Sequence, residues 1–347
     1  MTQTVTDRFF EKYEVIVRVE IQSENLHFKI DPKLFDSKIK TWSLYDTILL
    51  SNQNFTFVDE TKKLILVQKG SSDNCFQYEF NHKDMDGINF IQNIVDGFYL
   101  ESILSLKANL FQKCITCIFP LLCPKMFYNH VRFSFINPFL SNPNQKIQCV
   151  RFCYSLHQIK QYYLKIKKEF IQDLKFSTFL CAIPCFLYYK KTNATFMKLQ
   201  IVHYIPMMKA KNKIFPDNIL LNLKSLHSSK KNKLNSFLFF LKKIHKKRHS
   251  SFEIYQIYQY YNAIGKYCKI PSKIIPVDVS FSTIPVPLEY DEFRFVSKSH
   301  QFEKCSMLGI SNTNDILSLC FSIEENIISM LDEISSILPD VPLCKEF

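Results

Sequence analysis

The spacing of the apolar residues changes once along this chain, near Gly87, and that change limits the folds open to it. Before it, Val15 to Ile21 (VIVRVEI) alternates apolar and charged side chains with β-branched residues in the apolar places, as a strand with one buried face does. Phe55 to Val58, Leu64 to Gln68 and Cys75 to Phe80 read as further strands. The KGSSDN between the last two suits a hairpin turn, so antiparallel pairing is expected. From Gly87 onward the apolar residues recur at spacings of three and four, through Ile91, Ile94, Val95, Phe98, Ile103, Leu106, Leu110 and Phe111. That predicts one long buried helix, ended by Pro120 and Pro124. Val131 to Ile136, Ile147 to Leu156, Phe179 to Tyr189 and Phe196 to Tyr204 then read as strands. Strands, one central helix and more strands predict an α+β domain, a mostly antiparallel sheet packed on a long helix.

After Pro206, charge replaces pattern. Residues 101 to 250 hold 26 Lys and Arg against 4 Asp and Glu, a local charge of +22, whereas the whole chain of 347 residues carries +12. The acidic excess lies in the two flanks. A division follows into a folded domain over 1–206, a basic linker with one short amphipathic helix over 207–250, and a tail over 251–347. In the tail, FEIYQIYQYYNAI reads as helical, the proline-spaced PSKIIPVDVSFSTIPVPLEYDEFRF as extended, and Asn314 to Leu338 as an acidic amphipathic helix.

The N-terminus lacks the apolar run of a signal peptide, and the apolar runs at Cys114 to Pro124 and Phe176 to Tyr189 are too short to span a bilayer. A cytoplasmic protein with reduced thiols is expected. Cys114 and Cys117, Cys149 and Cys153, and Cys181 and Cys185 have metal-like spacing, but their apolar neighbours make them core thiols. No metal or other cofactor is expected. No Gly-rich phosphate loop, HExxH or GxSxG occurs, so the sequence predicts no enzyme, and Asp84 with Asp86, like Asp291 with Glu292, reads as solvated charge.

Lys230, Lys231, Lys233, Lys242, Lys243, Lys246, Lys247 and Arg248 form the densest basic cluster, with Phe237, Phe239, Phe240, Tyr255, Tyr258, Tyr260 and Tyr261 nearby. Three readings stay open for it: a surface for single-stranded nucleic acid using residues 207–261, a segment lying on anionic membrane, or a solvated linker.

The order of elements resembles that of autophagy-related protein 13, the adaptor of the autophagy-initiating Ser/Thr kinase complex. The likeness rests on FFEKYEVIVRVEI, LILVQKGSSDNCFQYEF, the helix ending in CITCIFPLLCPKMFY, VRFSFI and TFMKLQIVHYIP. In the tail, Val277, Asp278, Val279, Phe281, Asp291, Glu292 and Phe293 resemble a short acidic-aromatic motif. The resemblance implies a HORMA domain over the first 206 residues and a non-catalytic adaptor recruited to the autophagosome assembly site. Its partners would be the kinase, its scaffold subunit and a second HORMA protein. Val277, Val279, Phe281, Ile284, Phe293 and Phe295 are the expected partner-binding anchors, and a basic nucleic-acid-binding protein is the alternative.

Overall fold

The computed structural model describes residues 16–22, 55–58, 64–69, 75–81, 147–204, 214–227, 233–250, 253–254, 277–285, 292–298, 303–311, 315–338, 342 and 344–346. The alternating segments of the first half form β1 (Ile16–Gln22), β2 (Phe55–Val58), β3 (Leu64–Lys69) and β4 (Cys75–Asn81). They are followed by β5 (Ile147–Ser155), α1 (Leu156–Phe170), α2 (Phe176–Thr192), β6 (Phe196–Tyr204), β7 (Ile214–Asn222), α3 (Lys224–His227) and α4 (Lys233–Lys247). The last part of the chain gives β8 (Val277–Pro285), β9 (Glu292–Lys298), β10 (Glu303–Ser311), β11 (Ile316–Glu324), a 3-10 helix (Glu325–Ser336) and β12 (Cys344–Glu346).

Two sheets result. One has five strands in the order β2-β3-β4-β1-β9, and the other seven in the order β12-β5-β11-β10-β8-β6-β7. The expected β3–β4 hairpin is present, with Ile65 opposite Phe80 and Lys69 opposite Phe76. Strands from the supposed tail are structural in both sheets: β9 completes the first, and β8, β10 and β11 form the middle of the second. β7 and α4 stand where a linker was expected. Residue 206 therefore divides nothing, because chain on either side of it pairs in one sheet, β6 with both β7 and β8. The α+β class with one long central helix and an extended tail gives way to a two-sheet architecture. The expected helix from Gly87 to Phe119, the strand at Val131 to Ile136 and most of FEIYQIYQYYNAI lie outside the described residues.

Phe179 to Tyr189, expected as a strand, is the middle of α2. This helix is buried on nearly every side, from Thr178 to Tyr189, so it has no polar face to mark its period. Its 17 residues exceed a typical strand, and Asn193 ends it in the left-handed conformation (φ 49°), its N–H donating to the Tyr189 carbonyl at 2.8 Å. Asn314 to Leu338, expected as a helix, is β11 followed by the 3-10 helix. Leu317, Leu319, Phe321 and Ile323 alternate with Ser318, Cys320, Ser322 and Glu324, a strict period of two. The core lies between the seven-stranded sheet and the helices. Phe186 sits edge-on to Phe237 and Phe240 of α4 at 5.6 and 6.1 Å between ring centres, so α4 is an integral part of the core. Among the described residues no helix is long and apolar enough to cross a membrane.

Candidate functional site

The alternation of the central strands gives the seven-stranded sheet two unlike faces. On one stand Val277, Val279 and Phe281 of β8, Cys305 and Met307 of β10, and the alternate apolar residues of β11. A Cβ on Gly309, in the same row, would meet Leu180 Cδ1 of α2 at 3.6 Å and Thr283 Cγ2 at 3.3 Å, so this face carries the helices and larger side chains have no room there. The other face is polar. Following the register from strand to strand, Cys149, Ser322, Ser306, Ser280, Gln200 and Asn218 stand opposite one another across six strands. Cys149 Sγ lies 3.3 Å from Ser322 Oγ, and Gln200 Nε2 donates to Asn218 Oδ1 at 3.2 Å.

Parts of this polar face are nonetheless deeply buried, while Cys149, Ser306 and Gln200 are half-buried. Ser322 is 1% exposed, Ser280 3%, Arg151 7% and Glu324 8%. Small polar side chains are costly to enclose unless they find partners, and a sheet covered on both faces ordinarily reads as apolar throughout. The face is therefore chemically distinct from the rest of the core.

At the end of the sheet, Asp278 collects a charged group. Tyr188 Oη donates to its Oδ1 at 3.1 Å, Lys304 Nζ lies 3.5 Å from the same oxygen, and the Lys198 backbone N–H donates to Oδ2 at 2.9 Å. Burial, then the charge and hydrogen bond of Asp278, push the Tyr188 hydroxyl well above the ordinary range, which keeps it a neutral donor. Burial likewise pushes the Cys305 thiol up, with Glu303 and Glu324 adding to the effect, so it is no reactive thiolate. Cys149 and Cys153 lie on β5 and Cys181 and Cys185 inside α2; among the described residues no group of His, Cys, Asp and Glu is arranged to hold a metal ion. Cys114 and Cys117 lie outside the described residues.

The expected anchors are placed differently from the expectation. Val277, Val279 and Phe281 are buried at 3%, 0% and 1% exposure, so a partner's pocket has no access to them. Ile284 belongs to β8. Phe295 and Phe293 pair with Val19 and Ile21 in the five-stranded sheet.

The basic cluster also divides. Lys230 and Lys231 lie outside the described residues, and Lys233 begins α4. Lys242 and Lys246 point to solvent. Lys243 and Lys247 reach instead to the free edge of β7, where their Nζ atoms donate to the carbonyls of Asn222 and Leu220, each at 2.6 Å. The spacings match, since four helical residues rise about 6 Å and two strand residues about 6.8 Å. Arg248 donates to Ser177 Oγ at 2.8 Å and Thr178 Oγ1 at 2.5 Å. Three of the eight cations thus close the protein's own structure, and unpaired edge carbonyls explain lysines that polyanion binding had been invoked to explain.

Topology also places the end of β4. β4 and β9 both run antiparallel to β1, so their C-terminal ends lie together beside its start, with Asn81 opposite Ile16 and Lys298 opposite Val17. From Lys298 the chain passes to β10 of the seven-stranded sheet, and β9 runs beside β5 and β11. β9 is thus the strand that borders the second sheet, and the end of β4 lies one strand away from it, across β1. The residues that follow Asn81 in the sequence, outside the described set, are His82, Lys83, Asp84, Met85, Asp86 and Gly87. Reading Asp84 and Asp86 as solvated charge left His82 unweighed, although a His directly after a strand and followed by two carboxylates was a visible signal.

The sequence matches no protein-family profile and no curated protein. Its structure is similar to the epimerization domain from the third module of tyrocidine synthetase B, with a TM-score of 0.52 at 9% identity over 97% of this chain and 94% of that one. It is also similar to the EpoB cyclization-docking bidomain of a nonribosomal peptide synthetase from Sorangium cellulosum, with a TM-score of 0.54 at 9% identity over 97% and 83% of the two chains. A third likeness, to the nonribosomal peptide synthetase FmoA3, has a TM-score of 0.51 at 8% identity and covers 99% of this chain but 43% of that longer one. The fold is the condensation-domain fold. The HORMA domain and the autophagy adaptor read from local stretches do not hold, nor do the kinase, scaffold and second HORMA protein as partners, nor the nucleic-acid alternative. The forecast that the chain is no enzyme also loses its ground, because the similar structures are domains named for reactions, epimerization and cyclization.

Proposed function

We propose that this chain is an acyltransferase, moving an acyl group from a thioester donor to an amine or hydroxyl acceptor with His82 as the general base. The observation that carries this reading is the shared fold with reaction-bearing synthetase domains over nearly the whole of both chains. Fold alone does not decide function, so the residue that would do the chemistry has to be found in the sequence. His82 is that candidate. Imidazole is the side chain whose proton affinity suits transfer near neutral pH, and the residue before His82 ends β4, beside the start of β1.

In the proposed reaction the acceptor N–H or O–H gives its proton to neutral His82 as the nucleophile adds to the thioester carbonyl. The C–S bond then breaks, and the same proton passes to the departing thiolate. Asp86, four residues beyond, is assigned the positioning of the imidazolium by its negative charge. The partner that follows from the synthetase relatives is a carrier domain presenting the acyl group, and free acyl-coenzyme A offers the same thioester chemistry.

The test supplies the full chain with a labelled acyl group on a carrier domain in one arm and on coenzyme A in the other, with small amines and alcohols as acceptors. Transfer in either arm is expected, and which arm responds identifies the donor. His82→Ala should lower the rate about 10²- to 10⁴-fold with the circular dichroism spectrum unchanged. Transfer at an equal rate in His82→Ala, or in neither arm with the wild-type chain, would overturn the reading.

A further inference from the structure

Among the described residues β7 is the last strand of the seven-stranded sheet, so one row of its backbone groups faces no described strand. α4 covers that row. Lys243 and Lys247 hold the carbonyls of Asn222 and Leu220, and just beyond the helix His249 takes hold of the other end of the strand. Its backbone N–H donates to Asp217 Oδ2 at 3.0 Å, and its Nδ1 lies 2.6 Å from Asp217 Oδ1. Asp217 is only 2% exposed at its side chain, and the imidazole 18%. Arg248, one residue before, turns the opposite way and ties the same segment to Ser177 and Thr178 at the start of α2. His245, one helical turn earlier, faces Asp173 at 3.2 Å and does not share this carboxylate.

We propose that the C-terminal end of α4 is a proton-tightened clamp on the free edge of the seven-stranded sheet, closed by protonated His249 on Asp217 and loosened when that proton is lost. Lysine and arginine ordinarily titrate far above neutrality, so the group of the clamp suited to a charge change near neutrality is the imidazole. The charged groups around it are Asp217 from β7, Arg248 and Lys247 from the end of α4, and Glu253, which Ser250 holds at 2.6 Å through its N–H and 2.8 Å through its Oγ. Burial alone lowers the affinity of His249 for its proton. The hydrogen bond to Asp217, then the charges of Asp217 and Glu253, outweigh burial and leave it raised.

A raised folded-state value means that the protonated pair stabilises the clamp. Its contribution is complete below the ordinary imidazole range, about pH 6.5, and is lost as pH climbs through the raised value. Above that range the ring is neutral, and the lysines alone hold the edge.

Hydrogen exchange of the full wild-type chain, corrected for the intrinsic rate at each pH, tests this between about pH 5.5 and 8.5. Protection of the β7 amides should fall by about threefold or more as pH rises, while β10 and β11 in the middle of the same sheet stay level. His249→Gln should show weaker β7 protection at low pH and no remaining slope, and Asp217→Asn should flatten the slope independently. A wild-type β7 whose protection does not change with pH would overturn the proposal even without the variants, as would an undiminished slope in either one.

Discussion

Ser280 and Phe281 are neighbours in β8, equally hidden at 3% and 1% exposure, yet they belong to different interiors. Phe281 points among the helices with the rest of the apolar face. Ser280 points into the polar row, opposite Ser306 on one side and Gln200 on the other. The comparison teaches that burial in this protein has two meanings. One face is enclosed because its apolar area is removed from water, and this supplies the main stabilisation. The other holds small polar side chains, some of them buried as deeply as the apolar core although they supply little drive for it.

Adjacent substitutions break the comparison most directly. Phe281→Ala should cost about 3–5 kcal/mol in chemical unfolding, from lost transfer energy and the cavity left against the helices. Ser280→Ala, at equal burial, should stay within about 1 kcal/mol. Equal costs would show that the two faces are one core. A smaller effect is expected from Ser322→Leu, which forces bulk beside Cys149 at a position 1% exposed. Overpacking should cost about 1–3 kcal/mol if the polar face is tightly closed. If its closing cover yields instead, the cost falls toward zero, and unfolding midpoints distinguish the two outcomes.

What the sequence disclosed divides along similar lines. β1 announces itself in the sequence, because polar and apolar residues take turns from Val15 to Ile21, and Cys75 to Phe80 is likewise legible as a strand. β11 has the same alternation but was read as helix, because its Ser and Cys residues were not weighed as a polar face and the acidic segment after it suggested helical spacing. α2 was beyond pattern reading, since a helix buried on all sides has no polar residues to reveal a 3.6-residue period. The central place of β8, β10 and β11 was also hidden, because β11 pairs with β5, as Ile316 with Ser155, and β8 with β6, as Val279 with Leu199, and partners so far apart in sequence leave no local mark. Proline spacing made β8 look like a tail. Of the candidate site, His82 was legible as a residue, but its importance depends on where β4 ends, which only the strand order supplies.

The smallest expected effect comes from a second adjacent pair, on α4. Lys242 is exposed, whereas Lys243 is half-buried, lies over the Phe239 ring at 5.2 Å and donates to the Asn222 carbonyl at 2.6 Å. Burial lowers the proton affinity of Lys243, and its donor satisfies an acceptor on β7, the edge strand among the described residues. Lys243→Ala should therefore cost about 0.5–1.5 kcal/mol, the usual worth of one such bond, while Lys242→Ala should stay within about 0.5 kcal/mol. Both substitutions remove the same charge from the same helix. Equal stability losses would mean that the basic composition acts only through its overall field. Unequal losses, read from unfolding midpoints at two salt concentrations, would show that position against the β7 edge decides which lysines matter.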